Sequence, residues 1–174
     1  MNSTDYTSVG QIVGRYVDER DAPSLTQAHA PVRASVASAR RRSYTGGMDD
    51  KTDHDIAIDI ATRYLPEQSK PDEELYYFAY TIGIRNAGSV PARLIGRRWL
   101  IVDAIGFPRE VTGEGVIGEQ PRLRPGERFE YTSSTFFKTP FGTMEGSYTM
   151  RTDDGTEFQA EIPQFVLCIP RMLH

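Results

Sequence analysis

Tyr76-Tyr77-Phe78-Ala79-Tyr80-Thr81-Ile82-Gly83-Ile84-Arg85-Asn86-Ala87-Gly88 places a large apolar or aromatic side chain at every second position from Tyr76 to Ile84. Period two is the spacing of a strand with one face turned to a core, because successive side chains leave an extended chain on opposite sides. Asn86-Ala87-Gly88 then supplies the turn that ends it. Upstream, Asp55 to Tyr64 repeats the alternation with Ile56, Ile58 and Ile60, until Pro66 and the polar run Gln68 to Asp72 close it. Downstream, Leu94 to Val102 predicts a central strand, with apolar residues on both faces near its end. Gly106 marks a turn, Arg109 to Thr112 a short edge strand, and Pro121 to Pro125-Gly126 an irregular connection in which proline excludes a helix.

Three more strands follow, Phe129 to Phe137, Met144 to Arg151 and Glu157 to Ile169. Asp153-Asp154-Gly155 joins the last two as a hairpin turn, and Pro163 predicts a bulge or sheet switch, since proline cannot donate to a ladder. About seven strands and no amphipathic helix call for an all-β fold of two packed antiparallel sheets. One cysteine cannot form the disulfide that flanks the tryptophan of an immunoglobulin domain, so a fibronectin III-like β-sandwich is the expected variant. Tyr80, Ile82, Trp99, Met144, Tyr148 and Phe165 take inward positions.

At 174 residues, with 39% hydrophobic and 25% charged residues, the chain has the length and composition of one ordinary globular domain. Cys168, in the apolar run Phe165 to Ile169, reads as a small hydrophobe in a reducing compartment. With no signal peptide and no stretch long enough to span a bilayer, a cytoplasmic location without membrane insertion is expected. Net charge is +2 before Met48 and −6 from Met48 onward. A body of that sign has no basic face for phosphates, which excludes nucleic acid as the expected partner.

Residues 1–47 are rich in Ser, Thr, Ala and Arg without sustained apolar periodicity, and bury too little to offset ordering entropy. They read as a disordered leader that contributes nothing to folding; Arg40, Arg41 and Arg42 read as solvated charge in preference to an electrostatic tether. Met48 directly precedes the first patterned segment, so a mis-assigned start is the alternative to a leader.

Several segments resemble the bacterial ApaG family, also called CorD. They are Phe78 to Ile82 with Ile84 to Gly88; Leu94 to Arg97 with Trp99 to Ile101; Gly113 to Pro121; Pro125-Gly126-Glu127; Tyr131-Thr132-Ser133; Thr139 to Gly146; Ile162-Pro163; and the terminal His174. The likeness covers essentially all of residues 48–174, read as one ApaG domain, and none of residues 1–47. It implies a fibronectin III-like fold and an association with cobalt resistance and magnesium efflux. Similar domains in eukaryotic F-box proteins and in a DNA polymerase delta-interacting protein look like partner-binding modules. The resemblance names no reaction and implies no cofactor.

Gly113-Glu114-Gly115-Val116-Ile117-Gly118 formally satisfies the dinucleotide fingerprint, but Glu119-Gln120-Pro121 leads into a proline-rich connection instead of a helix, and no phosphate-loop Lys-Ser or Lys-Thr follows. Backbone amides there could still form an anion nest beside Arg97, Arg109, Arg122 or Arg124; glycines that merely permit positive φ are the simpler account. Arg97 shares a strand face with Trp99, where a guanidinium beside an indole could take an anion or a carboxylate, although a packed tryptophan under an arginine stem is favoured. Asp53-His54-Asp55 invites a metal reading that alternation weakens, since His54 points away from its two neighbours, and a solvated acidic strand entry is favoured. Cys168 sits in an apolar strand with only two histidines after Met48 available as its base, and Ser133, Ser134 and Thr135 lack the turn that exposes a nucleophile, so no catalytic group is assigned.

The expected function is therefore a non-enzymatic accessory module that binds a protein partner, with Arg97, Gly113, Gly115, Gly118 and Glu119 as the candidate binding residues. The alternative is a small-anion binder, for pyrophosphate or a nucleotide, through the loop Gly113 to Pro121. Open strand edges also permit a homodimer.

Overall fold

The computed structural model describes residues 13–17 and 53–170. Among these, nine strands form two antiparallel sheets: β1 (Val13–Val17), β2 (Ile56–Tyr64), β3 (Tyr76–Asn86), β4 (Ala92–Asp103), β5 (Pro108–Glu114), β6 (Arg122–Leu123), β7 (Arg128–Phe137), β8 (Phe141–Thr152) and β9 (Glu157–Cys168). The first sheet runs β1-β7-β3-β2 and the second β5-β4-β8-β9, with β6 also on β4. The seven expected strands are β2 to β5 and β7 to β9. Among the described residues no helix is long and apolar enough to cross a membrane.

The alternating residues meet between the sheets. Phe78, Ile82 and Ile84 of β3 face Leu94 and Trp99 of β4, Met144, Tyr148 and Met150 of β8, and Leu167 of β9, all buried. All six residues expected to point inward do so. Trp99 meets Tyr80, Tyr148 and Phe165 edge-on, with ring centroids 5.8, 6.4 and 6.0 Å apart, the geometry that the quadrupoles of aromatic rings favour. Asn86 is buried, and its side chain donates to the carbonyls of Val90 at 2.8 Å and Leu123 at 3.0 Å while accepting from the Gly88 amide at 3.0 Å. The turn read from Asn86-Ala87-Gly88 thus also ties the β3–β4 connection to β6.

At Pro163 the register slips. Met144 faces Phe165 while Gly146 faces Ile162, so Pro163 and Gln164 stand opposite Glu145 alone. This is the expected bulge, placed where proline's missing N–H leaves no ladder bond unmade. A second bulge, at Ile95 between Leu94 and Gly96, carries no proline to announce it.

Five residues of the segment expected to be a disordered leader form a strand: β1 pairs antiparallel with β7, Val13 facing Thr132 and Val17 facing Arg128. Apolar periodicity over five residues is too short to register against a Ser- and Ala-rich background, but Val-Gly-Arg-Tyr-Val is β-forming, and an open strand edge supplies the hydrogen-bond partners it lacks alone. The rest of residues 1–47, Arg40–Arg42 included, and His174 lie outside the described residues.

The registers put the β4–β5 and β7–β8 connections and the end of β9 at one end of the sandwich. The loop after β5 and the β3–β4 and β8–β9 turns lie at the other.

Candidate functional site

Arg97 sits on the inner face of β4, two residues before Trp99, and is half-buried. Its guanidinium lies flat over Gly113, where a Cβ would stand 2.9 to 3.0 Å from Nη1, Cζ and Nη2. Nη1 donates to the carbonyl oxygens of Glu114 at 2.9 Å and Gly115 at 2.7 Å. Beyond this point the chain turns sharply. The Gly115 amide bonds to the Ile95 carbonyl at 2.9 Å, and Val116 and Glu119 exchange two backbone bonds of 2.8 Å. Gly115, Ile117 and Gly118 take left-handed φ values of 55°, 48° and 78°; for β-branched Ile117 this is a costly conformation that the surroundings must hold. They do so through Val116, which is buried, and through Ile117 itself, packed against the core.

The structure thus brings Arg97, Gly113 and Gly115 together, with Gly118 and Glu119 exposed in the turn. Chemically the arrangement pins a turn: the acceptors on Arg97 are the chain's own carbonyls, and three of the loop's amides are engaged within the chain.

Behind Arg97 the core holds a cluster of phenols. The hydroxyls of Tyr131 and Tyr148 lie 2.6 Å apart, and both residues are buried. Burial pushes the phenols of Tyr131 and Tyr148 far above their ordinary range, and raises Tyr80 against the opposing pull of the Ser133 hydroxyl and Arg97. Such groups stay neutral at any physiological pH and serve as a hydrogen-bonded knot in the core, not as bases or nucleophiles.

A second surface lies at the opposite end. In Ala104-Ile105-Gly106-Phe107, joining β4 to β5, Ile105 is 68% and Phe107 74% exposed. The turn holding them is rigidly built: the Asp103 carboxylate accepts from the Ile105 amide at 3.0 Å and the Phe107 amide at 3.3 Å, and Gly106, at φ 84°, donates to the Asp103 carbonyl at 3.0 Å. Thr139 braces it from the β7–β8 connection, its hydroxyl accepting from the Ala104 amide at 3.1 Å and donating to the Phe141 carbonyl at 2.8 Å. Beneath the tip a groove runs between β5 and β7, lined by Ile101, Asp103, Pro108, Arg109, Phe137 and Lys138 among others. Sequence reasoning saw only the turn at Gly106. Its readable signal was two large apolar residues flanking a turn glycine, where polar residues are usual.

Two residues of the metal reading, Asp53 and His54, are engaged elsewhere. Asp53 accepts from the Ser89 hydroxyl, and the His54 ring stacks on Phe158 at 4.7 Å. Among the described residues no three His, Cys, Asp or Glu side chains gather as metal ligands. Cys168 is a half-buried free thiol at the end of β9.

Residues 66–152 match the model of the ApaG domain. The chain is 54% identical over 121 residues to Protein ApaG of Ralstonia nicotianae, a span of 70% of this chain and 98% of the relative. Against Protein ApaG of Xanthomonas campestris pv. campestris it is 54% identical over 127 residues, 73% of this chain and 100% of the relative. Among solved structures, a Bordetella pertussis protein described as ApaA superposes with a TM-score of 0.66 at 47% identity, covering 68% of this chain and 96% of that one.

Proposed function

Because this chain belongs to the ApaG family, and the relatives it matches carry no enzyme name, we propose that it is a non-catalytic module that binds a protein partner through the apolar tip formed by Ile105 and Phe107. The observation that carries this reading is the display of two large apolar side chains on a turn fixed by the Asp103 carboxylate. Exposing them is unfavourable in the free protein and gains by burial of apolar area against a partner, while the rigid turn leaves little ordering entropy to lose on binding. Aromatic anchors seated beside a groove are the usual centres of such interfaces. Lys138 at the groove favours a partner segment with an apolar anchor and a neighbouring carboxylate.

The link to cobalt resistance and magnesium efflux that the family resemblance implies is read as a task performed through that partner, since Asp53 and His54 are engaged within the fold. Arg97 and the Gly113 to Pro121 loop support the scaffold in this reading.

The test is capture of partners from the protein's own cells with the parent chain and with Ile105→Ser/Phe107→Ser. The double variant is expected to lose at least tenfold of the specifically captured partner while its melting temperature stays within about 2 °C, because exposed substitutions cost little stability. Undiminished capture by the variant overturns the tip as the binding surface. Stabilisation of the parent by pyrophosphate would move the site to the Gly113 to Pro121 loop.

A further inference from the structure

The seat of β1 has a property that the rest of the first sheet lacks: it is filled from far away in the chain. In a sandwich with an ABED sheet, the strand beside E is D, which directly precedes E. Here β2, β3 and β7 occupy the A, B and E positions. The chain between β5 and β7 forms the Gly113 to Pro121 loop and β6, and β6 goes to the other sheet. The outer edge of β7 is left to a strand that enters from the N-terminal segment, with residues 18–55 between it and β2.

The family relatives do without it. An aligned stretch of 127 residues that contains the family-matched 66–152 cannot reach back to Val17, yet it spans the whole Xanthomonas relative. The E-strand edge is therefore part of the family domain, whereas its occupant belongs to this chain.

The edge also carries side-chain selectivity. Gly14 lies where a Cβ would fall 2.3 Å from Ile117 Cδ1 and 2.7 Å from Phe129 Cζ, so a larger residue there must push these two side-chain ends aside. Arg15, on the other face, pairs with Glu130 at 3.3 Å. Tyr16 meets Phe129 edge-on, with ring centroids 5.2 Å apart.

We infer that the β7 edge is a docking site for an extended peptide of the pattern glycine, basic residue, aromatic residue, and that Val13–Val17 is its intramolecular occupant, which an external strand of the same pattern displaces. Main-chain pairing along β7 supplies the affinity, and the Ile117–Phe129 notch, Glu130 and the Phe129 ring supply the selectivity, the division of labour seen wherever a peptide adds a strand to a sheet. A tethered strand competes at an effective concentration on the order of millimolar, so the closed form predominates in the free chain.

The experiment measures fluorescence anisotropy of a labelled peptide of residues 11–19 titrated with full-length parent and with full-length Gly14→Val, whose own strand seats only by displacing Ile117 and Phe129. The Gly14→Val protein is expected to bind the peptide about fivefold more tightly than the parent, and the same peptide carrying Gly14→Val to bind both more weakly than the unaltered peptide. Full-length Arg15→Pro, which expels the strand by fixing φ and deleting a donor, gives the same result by another route and serves if Gly14→Val fails to fold. Equal binding by parent and variants, or no binding by a folded variant, overturns the proposal. So does a parent that is a concentration-dependent dimer, which would place the strand on a second copy.

Discussion

Gly115 and Gly118 sit three residues apart in one loop, and their replacement should have very different consequences. Both require positive φ, but a Cβ on Gly115 would stand 2.2 Å from the Glu119 carbonyl oxygen, whereas nothing lies within 4 Å of one on Gly118. Gly115→Val is expected to cost about 3 kcal/mol or more, strain plus overlap with backbone that cannot yield. Gly118→Ala is expected to cost about 1–2 kcal/mol, the left-handed penalty alone. Urea denaturation of the two variants measures the difference; equal losses would show that the turn, not the close approach, sets the requirement. Arg97→Leu belongs to the same scale. It leaves the Glu114 and Gly115 carbonyls without their donor and is expected to cost about 2 kcal/mol, with faster hydrogen exchange across the loop. A variant as stable as the parent would release Arg97 from its structural role. Trp99→Ala, at the centre of the aromatic contacts, is expected to cost about 3–5 kcal/mol. Parity alone made Arg97 and Trp99 neighbours on one face. That the guanidinium lies on Gly113 and not on the indole was not legible, because it depends on how a second strand approaches.

The β8–β9 hairpin has a built-in acid sensitivity. The Asp154 carboxyl is held down to about 2, first by the Thr152 hydroxyl and then by the amide of Thr156, which donates to it at 3.0 Å. An unfolded aspartate titrates near ~3.9, so the folded chain favours the ionised form. The contribution of this carboxylate is complete above about pH 4 and is lost as the pH falls toward 2. Asp154→Asn should therefore flatten the dependence of melting temperature on pH across that window; an unchanged profile would assign the acid sensitivity to other carboxylates. Asp153-Asp154-Gly155 was readable as a turn from residue types, and the Pro163 bulge from proline's missing donor. The Ile95 bulge was not, since nothing in Leu94-Ile95-Gly96 conflicts with a regular ladder, and its cause is the pairing partner. Ile105 and Phe107 left a signal beside the Gly106 turn, but it did not decide their exposure, because an apolar residue in sequence is presumed buried until the fold shows which turn displays it.

The sandwich as a whole gains a strand from outside the family-matched region, and this changes what truncation should do. Deleting residues 1–47 removes β1 and uncovers Phe129 and Ile117. A melting temperature lower by roughly 2–6 °C is expected, about 1 kcal/mol for a protein of this size, together with a tendency to associate through the open edge of β7. No change would mean that pairing and ordering of β1 cancel. From the amino-acid sequence alone came the all-β class, the seven main strands, six inward core residues and the family resemblance, because period-two alternation and turn residues act over a few neighbouring positions. Only the tertiary structure decided that Val13–Val17 completes a sheet, that Arg97 pins the Gly113 to Pro121 loop, and that Ile105 and Phe107 stand in solvent. Each of these depends on which distant backbone lies opposite, and a strand edge accepts any short extended segment that can satisfy its hydrogen bonds.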